Sequence, residues 1–467
     1  SGVDILNQKK FHMPTAYTIL FLLLILVAAA TWIIPAGSYD YVDGVPVAGT
    51  YHTVEQNPQG VGDVLKAAFS GFYDAVDVCI FILMVGGFLG VVMKTGAVDA
   101  GVGNVIRLLG GREKWLIPIL MLLFGLGGTT YGMWEETMAF YPLLIPVFLA
   151  AGYDAVVGIS VILLGAGAGV IASTVNPFAT GIAAGFAGVS LGEGIVLRLL
   201  EWVAFEAAAI WFVMAYAAKV KKNPSKSVVG VGAGKIQVSM DQQVPFTAKR
   251  KVIMALFTLT FLIMVYAVVP FDEMGLSLPA LGWWFPELSA LFLVAGVVIG
   301  LIDRMSEEEL VETYVAGCAD LLGVAFIIGI SRGITVLMND GAITDTVLHW
   351  GEQALSGAGA ISFTLLVFAL YLPLTILIPS SSGLATLSIP IVAPLGKFAG
   401  VGGDLVVTAF QSASGLVNII TPTAAVVMGA LALGHVPYDR WVKYVWKLIL
   451  WFLLLALAFL VAGVLLG

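Results

Sequence analysis

The stretch Gly127–Thr137, GGTTYGMWEET, decides how the rest of the chain is interpreted. It lies between two apolar runs, Trp115–Leu126 and Met138–Ala150. Its adjacent carboxylates, Glu135 and Glu136, stand where a charge is energetically costly, and an ionisable residue in such apolar surroundings indicates a functional site. We predict that this stretch is the tip of a re-entrant hairpin and that its carboxylates face a cationic group.

The composition of the whole chain places it in a membrane. Of its 467 residues, 60% are hydrophobic and 11% are charged, whereas a soluble protein is about a quarter charged. Several apolar runs reach the roughly 20 residues that cross about 30 Å of hydrocarbon. The 54 glycines favour close helix packing and interrupted helices. The sequence has no P-loop, so direct use of ATP is not expected.

No arrangement of residues indicates a metal site or an organic cofactor. Cys79 and Cys318 stand in apolar surroundings and are interpreted as core residues, not as a disulfide or metal pair. The four histidines are scattered along the chain: His12, His52, His349 and His435. We therefore expect neither a metal nor an organic cofactor, and no nucleic-acid partner.

Apolar runs predict seven uninterrupted spans. Lys9 and Lys10 precede the first span, which places the N-terminus in the cytoplasm by the positive-inside rule. Amphipathic segments, Val61–Phe72 and Ser306–Ala316, lead into a span in each half, and Pro35–Gly60 is predicted to form a small outer hairpin. The predicted spans are Ala16–Ile34, Ala75–Val92, Leu197–Ala218, Lys251–Val269, Leu288–Leu301, Leu321–Leu337 and Leu448–Leu466.

A second hairpin is predicted in the C-terminal half. The apolar run Ile361–Ile378 is followed by a polar tip, Pro379–Gly383, with the sequence PSSSG, and then by Leu384–Pro394. This second tip carries no carboxylate, so the two hairpins differ in charge although they share a pattern.

Two further spans are predicted to be broken within the membrane. Ala155–Gly188 is too long for one simple span and is interrupted by Ser173–Pro177. Its proline removes a backbone donor and disfavours a helical conformation at the preceding residue. Leu405–Leu433 is interrupted in the same way by Asn418–Thr423.

The two halves resemble each other at a shift of roughly 245 residues, as a search for internal periodicity shows. The same four features recur in the same order: span, hairpin, broken span and span. An odd number of crossings separates equivalent points, so the halves have opposite orientation, as in secondary transporters built from inverted repeats. The matched segments are Val92–Val98 with Leu337–Ile343, Tyr141–Pro146 with Ile389–Pro394, and Ser173–Pro177 with Asn418–Pro422.

The predicted fold class is an all-α polytopic membrane protein, an inverted repeat with two re-entrant hairpins and two broken transmembrane helices. The longest polar segment, Lys221–Arg250, sets the boundary between the halves. We assign residues 14–220 to the first repeat and residues 284–467 to the second. Residues 221–283 form a cytoplasmic linker, a connecting span and an outer loop.

Hairpin tips and broken spans expose backbone N–H and C=O groups, which bind anionic and cationic groups respectively. Hydroxyl and amide side chains at these four elements both donate and accept hydrogen bonds, which suits the head of a zwitterionic amino acid. For any single hydroxyl, helix packing or a bond to its own backbone is an equal alternative. The candidate polar residues are Thr129, Thr130, Ser173, Thr174, Asn176, Ser380, Ser381, Ser382, Asn418, Thr421 and Thr423.

Glu135 and Glu136 give the first tip its own chemistry. Two adjacent carboxylates in a dry site repel each other and cannot both stay charged without a cation. A guanidinium or ammonium group would satisfy them, and a guanidinium would do so in bidentate geometry. Trp134 or Tyr131 would add a cation–π face. The alternative is that one of the two glutamates caps the outgoing helix.

Other charges within predicted spans receive structural interpretations. Arg332 is predicted to pair with Asp320 or with another acid across the bundle, or to sense a carboxylate. Arg198 and Glu201 are three residues apart on one predicted helix, a spacing that allows an ion pair.

Four motifs carry a resemblance to a known family over nearly the whole chain. They are GGTTYGMWEETMAFYP at Gly127–Pro142, STVNPF at Ser173–Phe178, PSSSGLAT at Pro379–Thr386 and NIITPT at Asn418–Thr423. The chain resembles the basic amino-acid antiporters of the arginine–ornithine exchanger type, within the C4-dicarboxylate anaerobic carrier group of the ion transporter superfamily. Gly132–Glu136 is the most specific part.

The resemblance implies more than the residues alone do. It implies a scaffold domain that forms a homodimer and a transport domain that moves as an elevator, carrying both hairpin tips and both broken spans. Trp134 departs from the family, in which a small residue often precedes the two glutamates.

Together these observations predict a secondary transporter, not an enzyme, in the bacterial or archaeal cytoplasmic (inner) membrane. Its substrate is expected to be a small cationic amino acid, arginine, ornithine or lysine, moved by exchange, with a coupling proton or sodium ion as the alternative partner. A C4-dicarboxylate or other carboxylate carrier driven by proton or sodium is the first alternative, although paired acids argue against a dianion. An integral-membrane enzyme and a channel are less consistent with the motifs.

Overall fold

The structure is a computed structural model that describes residues 16–176, 179–230, 244–269, 271–272, 275–283 and 285–467. Lys9 and Lys10, which orient the chain in the sequence argument, lie outside these residues. Helices account for most of the described chain, and short strands occur between the first two helices.

The described residues of the first half form nine α-helices. Several begin or end at glycines with left-handed backbone conformations, which favour a residue without a side chain. The helices are α1 (Ala16–Ile33), α2 (Val61–Asp74), α3 (Val76–Lys94), α4 (Ala97–Leu109), α5 (Leu116–Tyr131), α6 (Tyr141–Ala150), α7 (Ala155–Ile171), α8 (Thr180–Ala187) and α9 (Ile195–Lys222). Short 3-10 helices cover Glu113–Trp115, Glu135–Ala139 and Pro224–Lys226.

The rest of the described chain forms ten α-helices. They are α10 (Ala248–Val268), α11 (Phe285–Ile302), α12 (Glu307–Asp320), α13 (Leu322–Asp340), α14 (Thr344–Leu355), α15 (Ala360–Leu377), α16 (Ser381–Ala399), α17 (Gly403–Val417), α18 (Ala425–Leu433) and α19 (Tyr438–Leu466). All the predicted spans, the second hairpin and both interruptions fall on helices or helix breaks of this order.

The predicted outer hairpin consists of two small antiparallel ribbons. The four strands are β1 (Gly37–Ser38), β2 (Tyr41–Val42), β3 (Val45–Pro46) and β4 (His52–Thr53); β1 pairs with β4, and β2 pairs with β3. Asp345 of α14 holds the segment in place, since it accepts hydrogen bonds from the Tyr39 N–H at 3.0 Å and from the Tyr41 hydroxyl at 2.7 Å.

The chain is a multi-pass membrane protein. Within the described residues, eight helices are long and apolar enough to cross a bilayer, and three shorter apolar helices accompany them. Side chains such as Leu22 and Leu26 of α1 and Leu454 of α19 remain exposed. Apolar side chains of this kind are suited to contact with lipid.

The core is centred on the first halves of the two interrupted helices. Every residue of α7 except Val170 is buried, and so is every residue of α17 from Leu405 to Val417. The two helices touch near their C-terminal ends, where Gly415 lies against the backbone of Ile171. Neither helix therefore has a face available for lipid, and both interruptions lie inside the protein.

The order of helices occurs twice, with α10 between the two series. From α1 to α9, and again from α11 to α19, the order is long helix, amphipathic helix, long helix and short helix, followed by two hairpin helices, two halves of an interrupted helix and a long helix. The packing is reciprocal, since α2 packs against α13 and α12 packs against α3.

Three helices differ from the sequence prediction. The amphipathic helices α4 and α14 were not predicted, because a surface helix with one apolar face lacks the long uniform run that identifies a span. The last helix begins at Tyr438, before the predicted Leu448, so Arg440 and Lys443 lie on its first turns.

Candidate functional site

The first hairpin enters and leaves the protein on one side. Glu113, just before α5, and Tyr153, just after α6, both contact Lys221 of α9. The Lys221 Nζ atom lies 3.4 Å from the Glu113 carboxylate and 5.0 Å from the centre of the Tyr153 ring. α6 has 10 residues, or about 15 Å of helix, half the thickness of a bilayer core. The segment therefore turns back inside the protein, with Gly132–Trp134 between its helices.

The second hairpin is arranged similarly. α15 and α16 pack against each other, and the ring of Phe363 near the start of α15 lies beside Gly396 near the end of α16. The tip is capped from within, because the Ser380 hydroxyl accepts a hydrogen bond from the Gly383 N–H at 3.3 Å. α16 therefore starts directly at the tip and presents its N-terminus there.

The first hairpin is hydrogen-bonded to the interruption between α7 and α8. The Thr129 hydroxyl donates to the Ala172 carbonyl at 2.7 Å. In return, the Thr174 N–H donates to the Thr129 carbonyl at 2.9 Å and the Thr174 hydroxyl donates to the same oxygen at 3.1 Å. These bonds satisfy backbone groups that a helix end and a helix break leave unpaired.

Glycines bring α5 and α7 into direct backbone contact. A side chain at Gly128 would collide with the Ala166 carbonyl oxygen, and one at Gly169 would collide with the Gly125 carbonyl oxygen. Small residues allow this approach, as at many helix contacts in membranes. We call this contact the glycine seam; its members are Gly125, Gly128 and Gly169.

The first tip contacts both interruptions, the first through Gly132 and the second through Trp134. Gly132 has a φ of +74°, and a Cβ atom there would lie 2.5 Å from the Asn176 amide nitrogen. The Trp134 ring lies beside Gly167 of α7, and so does Ile419 between α17 and α18. One side chain of the tip thus lies where both interrupted helices meet.

Glu135 begins the 3-10 helix of the tip and is half-buried. It lies within electrostatic range of Arg332 of α13 and Asp77 of α3. Arg332 forms an ion pair with Asp74 at the end of α2, with an Nη1–Oδ2 distance of 3.0 Å. The prediction that Arg332 pairs with an acid across the bundle is thus confirmed, with Asp74 as the partner rather than Asp320. The Glu136 side chain lies outside the described part.

α13 connects three parts of the site within two turns. The Ser331 hydroxyl donates to the Thr423 carbonyl at 2.5 Å, which joins α13 to the second interruption. The Thr335 hydroxyl donates to the Leu377 carbonyl at 3.2 Å, next to the second tip. Arg332, between them, lies near the first tip. Ser331 and Thr335 were not predicted from the sequence, although a polar cluster amid an apolar run is the signal that points to them.

The second interruption holds its own polar groups. The hydroxyls of Thr421 and Thr423 lie 2.8 Å apart, and the Ile419 carbonyl accepts from the Trp441 indole at 3.0 Å. The Asn418 side chain is 7% exposed, and its Oδ1 atom has no hydrogen-bond partner among the described residues. A buried acceptor without a donor is costly, so its presence indicates a place for a donor from outside the chain.

Some candidate residues join one element of the site to another. Thr129, Gly132 and Trp134 of the first tip contact the interruptions, and Thr174 and Asn176 are their partners in the first one. α13 contacts Thr423 and the residue next to the second tip. Thr130 instead donates to the Leu126 carbonyl at 2.6 Å and Ser173 to the Val170 carbonyl at 2.8 Å, the local alternative named above. Ser380, Ser381 and Ser382 are half-buried. Pro177 lies outside the described residues.

Arg198 does not hydrogen-bond to Glu201. Its guanidinium donates to three carbonyls, those of Thr174 and Glu193 at 2.9 Å and that of Leu191 at 2.5 Å. The predicted ion pair is replaced because the break after α7 and the segment before α9 both leave carbonyls that need donors. Arg198 thereby holds the first interruption against α9.

Comparison with known proteins gives one family over the whole length. Residues 13–465 match the model described as DcuC, C4-dicarboxylate anaerobic carrier. An uncharacterised protein of Haemophilus influenzae is 35% identical over 98% of both chains. A protein of Escherichia coli K12 with the provisional name basic amino acid antiporter YfcC is 30% identical over 93% of both chains. The solved structure of the YdaH transporter from Alcanivorax borkumensis aligns over 96% of this chain and 98% of its own at 14% identity, with a TM-score of 0.45.

Proposed function

Because this chain belongs to the C4-dicarboxylate anaerobic carrier family, and is therefore a membrane transporter and not an enzyme, we propose that it exchanges cationic amino acids. Arginine, ornithine and lysine are the proposed substrates, and the bacterial or archaeal inner membrane is the proposed location, with the N-terminus in the cytoplasm. The name of the Escherichia coli relative points the same way.

The observation that carries this proposal is the excess of acid around the first tip. Glu135, Asp77 and Asp74 share a single guanidinium, that of Arg332, among the charges that the structure describes there. Arg332 is already paired with Asp74 at 3.0 Å. A guest with a guanidinium or ammonium group would balance the remaining negative charge, and the Trp134 ring would supply a cation–π face.

The second tip supplies the complementary end. α16 begins there, and the N-terminus of a helix attracts anionic groups through its free N–H groups and its dipole. Ser381 and Ser382 are half-buried at this N-terminus. We propose that the α-carboxylate of the amino acid binds at this tip while its side chain points toward Glu135.

The repeated order of helices supports inverted repeats, and reciprocal packing of α2 on α13 and α12 on α3 is what a two-fold relation produces. We propose an elevator mechanism in which a transport domain that carries both hairpin tips and both interrupted helices moves against a scaffold domain that forms a homodimer. The proposed repeats remain residues 14–220 and 284–467, with 221–283 connecting them.

A carrier for C4-dicarboxylates is the second candidate, and Arg332 favours it. A guanidinium near the site is suited to bidentate binding of a carboxylate. This candidate requires that the acids of the first tip be neutral or otherwise occupied when a dianion binds.

Exchange in proteoliposomes distinguishes the two candidates. Vesicles containing the purified protein are loaded with lysine, ornithine, succinate or aspartate, and the uptake of labelled arginine is followed. We expect rapid uptake with internal lysine or ornithine and none with succinate. If the vesicles take up labelled succinate and external lysine does not inhibit this uptake, the result would contradict the proposal and support the dicarboxylate carrier.

A further inference from the structure

α9 carries two buried acids that the proposed substrate site does not use. Glu201 is 0% exposed and Glu206 is 2% exposed. The Glu201 carboxylate accepts a hydrogen bond from the Ser412 hydroxyl of α17 at 2.9 Å, and Arg198 lies within electrostatic range of it. Neither acid has a basic side chain of the described residues within ion-pair distance. Glu206 differs because no described charge acts on it, whereas Arg198 acts on Glu201.

Glu206 occupies the space that a glycine leaves on the first hairpin. A Cβ atom at Gly125 would collide with the Glu206 carboxylate. The Trp202 indole donates to Oε2 at 3.1 Å, and Oε1 has no hydrogen-bond partner among the described residues. The carboxyl group is therefore wedged between α9 and α5, with one donor for two oxygens.

No charged group on a neighbouring element, among the described residues, acts on Glu206. α7 contains no titratable residue, and Phe452 is the α19 residue that packs here, with its ring centre 4.9 Å from that of Phe205. The titratable or charged residues on elements packed against α9 are Tyr131 of α5; Asp154 before α7; Asp404 of α17; Tyr438, Asp439, Arg440, Lys443, Tyr444 and Lys447 of α19; Glu113, Lys114 and Lys226 of the 3-10 turns; and Arg198, Glu201, Tyr216, Lys219, Lys221 and Lys222 of α9 itself.

We propose that Glu206 is a proton-binding site at the contact between α9 and the first hairpin, separate from the substrate site at the tips. An ionised carboxylate in a dry, apolar contact without a counter-charge is strongly disfavoured. Glu206 therefore takes up a proton when α5 and α9 pack together, as a carboxylate becoming a carboxylic acid, and holds it while they are packed.

A sodium ion fits this location less well than a proton does. A hard cation needs a shell of several oxygen ligands, whereas the hydrogen-bond partner of this carboxyl group among the described residues is an indole N–H, which cannot be a ligand. A proton needs no such shell. A role of this proton in transport rests on the proposed function, whereas the protonation of Glu206 does not.

Infrared spectroscopy tests protonation without any substrate. The protein in liposomes is titrated with pH, and the C=O band of protonated carboxylic acids is recorded for the wild type, Glu206→Gln and, as the matched control on the same helix, Glu201→Gln. Glu201 is as deeply buried and contributes to the same band, so we expect Glu206→Gln to remove one component of the band at neutral pH that Glu201→Gln retains. A spectrum of Glu206→Gln identical to that of the wild type, or absence of the band in the wild type, would overturn the proposal.

A second measurement covers the case in which Glu206→Gln folds poorly. Gly125→Ala pushes on the same carboxyl group from α5 while keeping it titratable, so we expect the band to shift in this variant. An unchanged band would show that the signal arises elsewhere and would overturn the assignment. If the infrared result holds while arginine exchange fails, the protonation site stands and the proposed substrate is wrong.

Discussion

The two hairpin tips occupy equivalent places in the repeated order of helices, yet their chemistry is opposite. The first tip turns through a left-handed glycine, Gly132, continues as a 3-10 helix and carries Glu135. The second starts an α-helix at once behind the Ser380 cap and carries no charge. The difference teaches that one repeated order of helices can hold two unlike tips, and in the site that we propose they supply an acid for a cation and a helix N-terminus for an anion.

The largest effect is expected from removing the acid of the first tip. In Glu135→Gln, arginine should lose a charged partner, which is worth about 1.5–3 kcal/mol, or roughly ten- to 150-fold in affinity. Ser381→Ala at the second tip is the matched comparison and should weaken binding far less. Arginine binding to the purified protein, measured by isothermal titration calorimetry, checks both variants. Full affinity in Glu135→Gln would remove the proposed distinction between the tips.

The next largest effect concerns the backbone of the tips. Gly132→Ala forces a side chain into a left-handed conformation and against Asn176, which should destabilise the fold by about 1–3 kcal/mol. Gly383→Ala at the second tip meets only the Ser380 side chain, at 3.2 Å or more, and should change stability little. Thermal unfolding in detergent compares them. An equal loss of thermal stability in both variants would contradict the difference in backbone geometry between the two tips.

A smaller effect is expected from the helix cap of the second tip. Ser380→Ala removes the acceptor of the Gly383 N–H and should cost about 1 kcal/mol. Ser382→Ala leaves that cap in place and serves as the control. Hydrogen exchange at the first turn of α16 is the measurement, with faster exchange expected in Ser380→Ala alone.

The smallest effect is expected at Thr130. Its hydroxyl bonds to the Leu126 carbonyl of its own helix, so Thr130→Val should change arginine affinity by less than about 1 kcal/mol. Thr129→Val should do more, because the Thr129 hydroxyl joins the tip to Ala172. If Thr130→Val were the more damaging variant, Thr130 would contact the substrate directly.

The sequence predicted the features that depend on local pattern. The spans followed from apolar length, and the interruptions at Ser173–Pro177 and Asn418–Thr423 followed from polar residues and a proline within apolar runs. Which residues meet across the chain could not be predicted. The Arg332–Asp74 pair joins positions far apart in sequence, and no local pattern selects Asp74 over Asp320. Arg198 looked like a partner for Glu201 because sequence spacing shows neighbours on one helix, but not the unpaired carbonyls of another element.

The glycine seam has a mechanical consequence. Because Gly128 meets the Ala166 carbonyl and Gly169 meets the Gly125 carbonyl with no side chains between them, α5 and α7 cannot slide along each other without atomic overlap. α5 and α7 must therefore keep the same relative position in any conformational change of the protein. Spin labels placed on these two helices should keep a constant separation in every conformational state, while labels on either helix and on α10 change theirs.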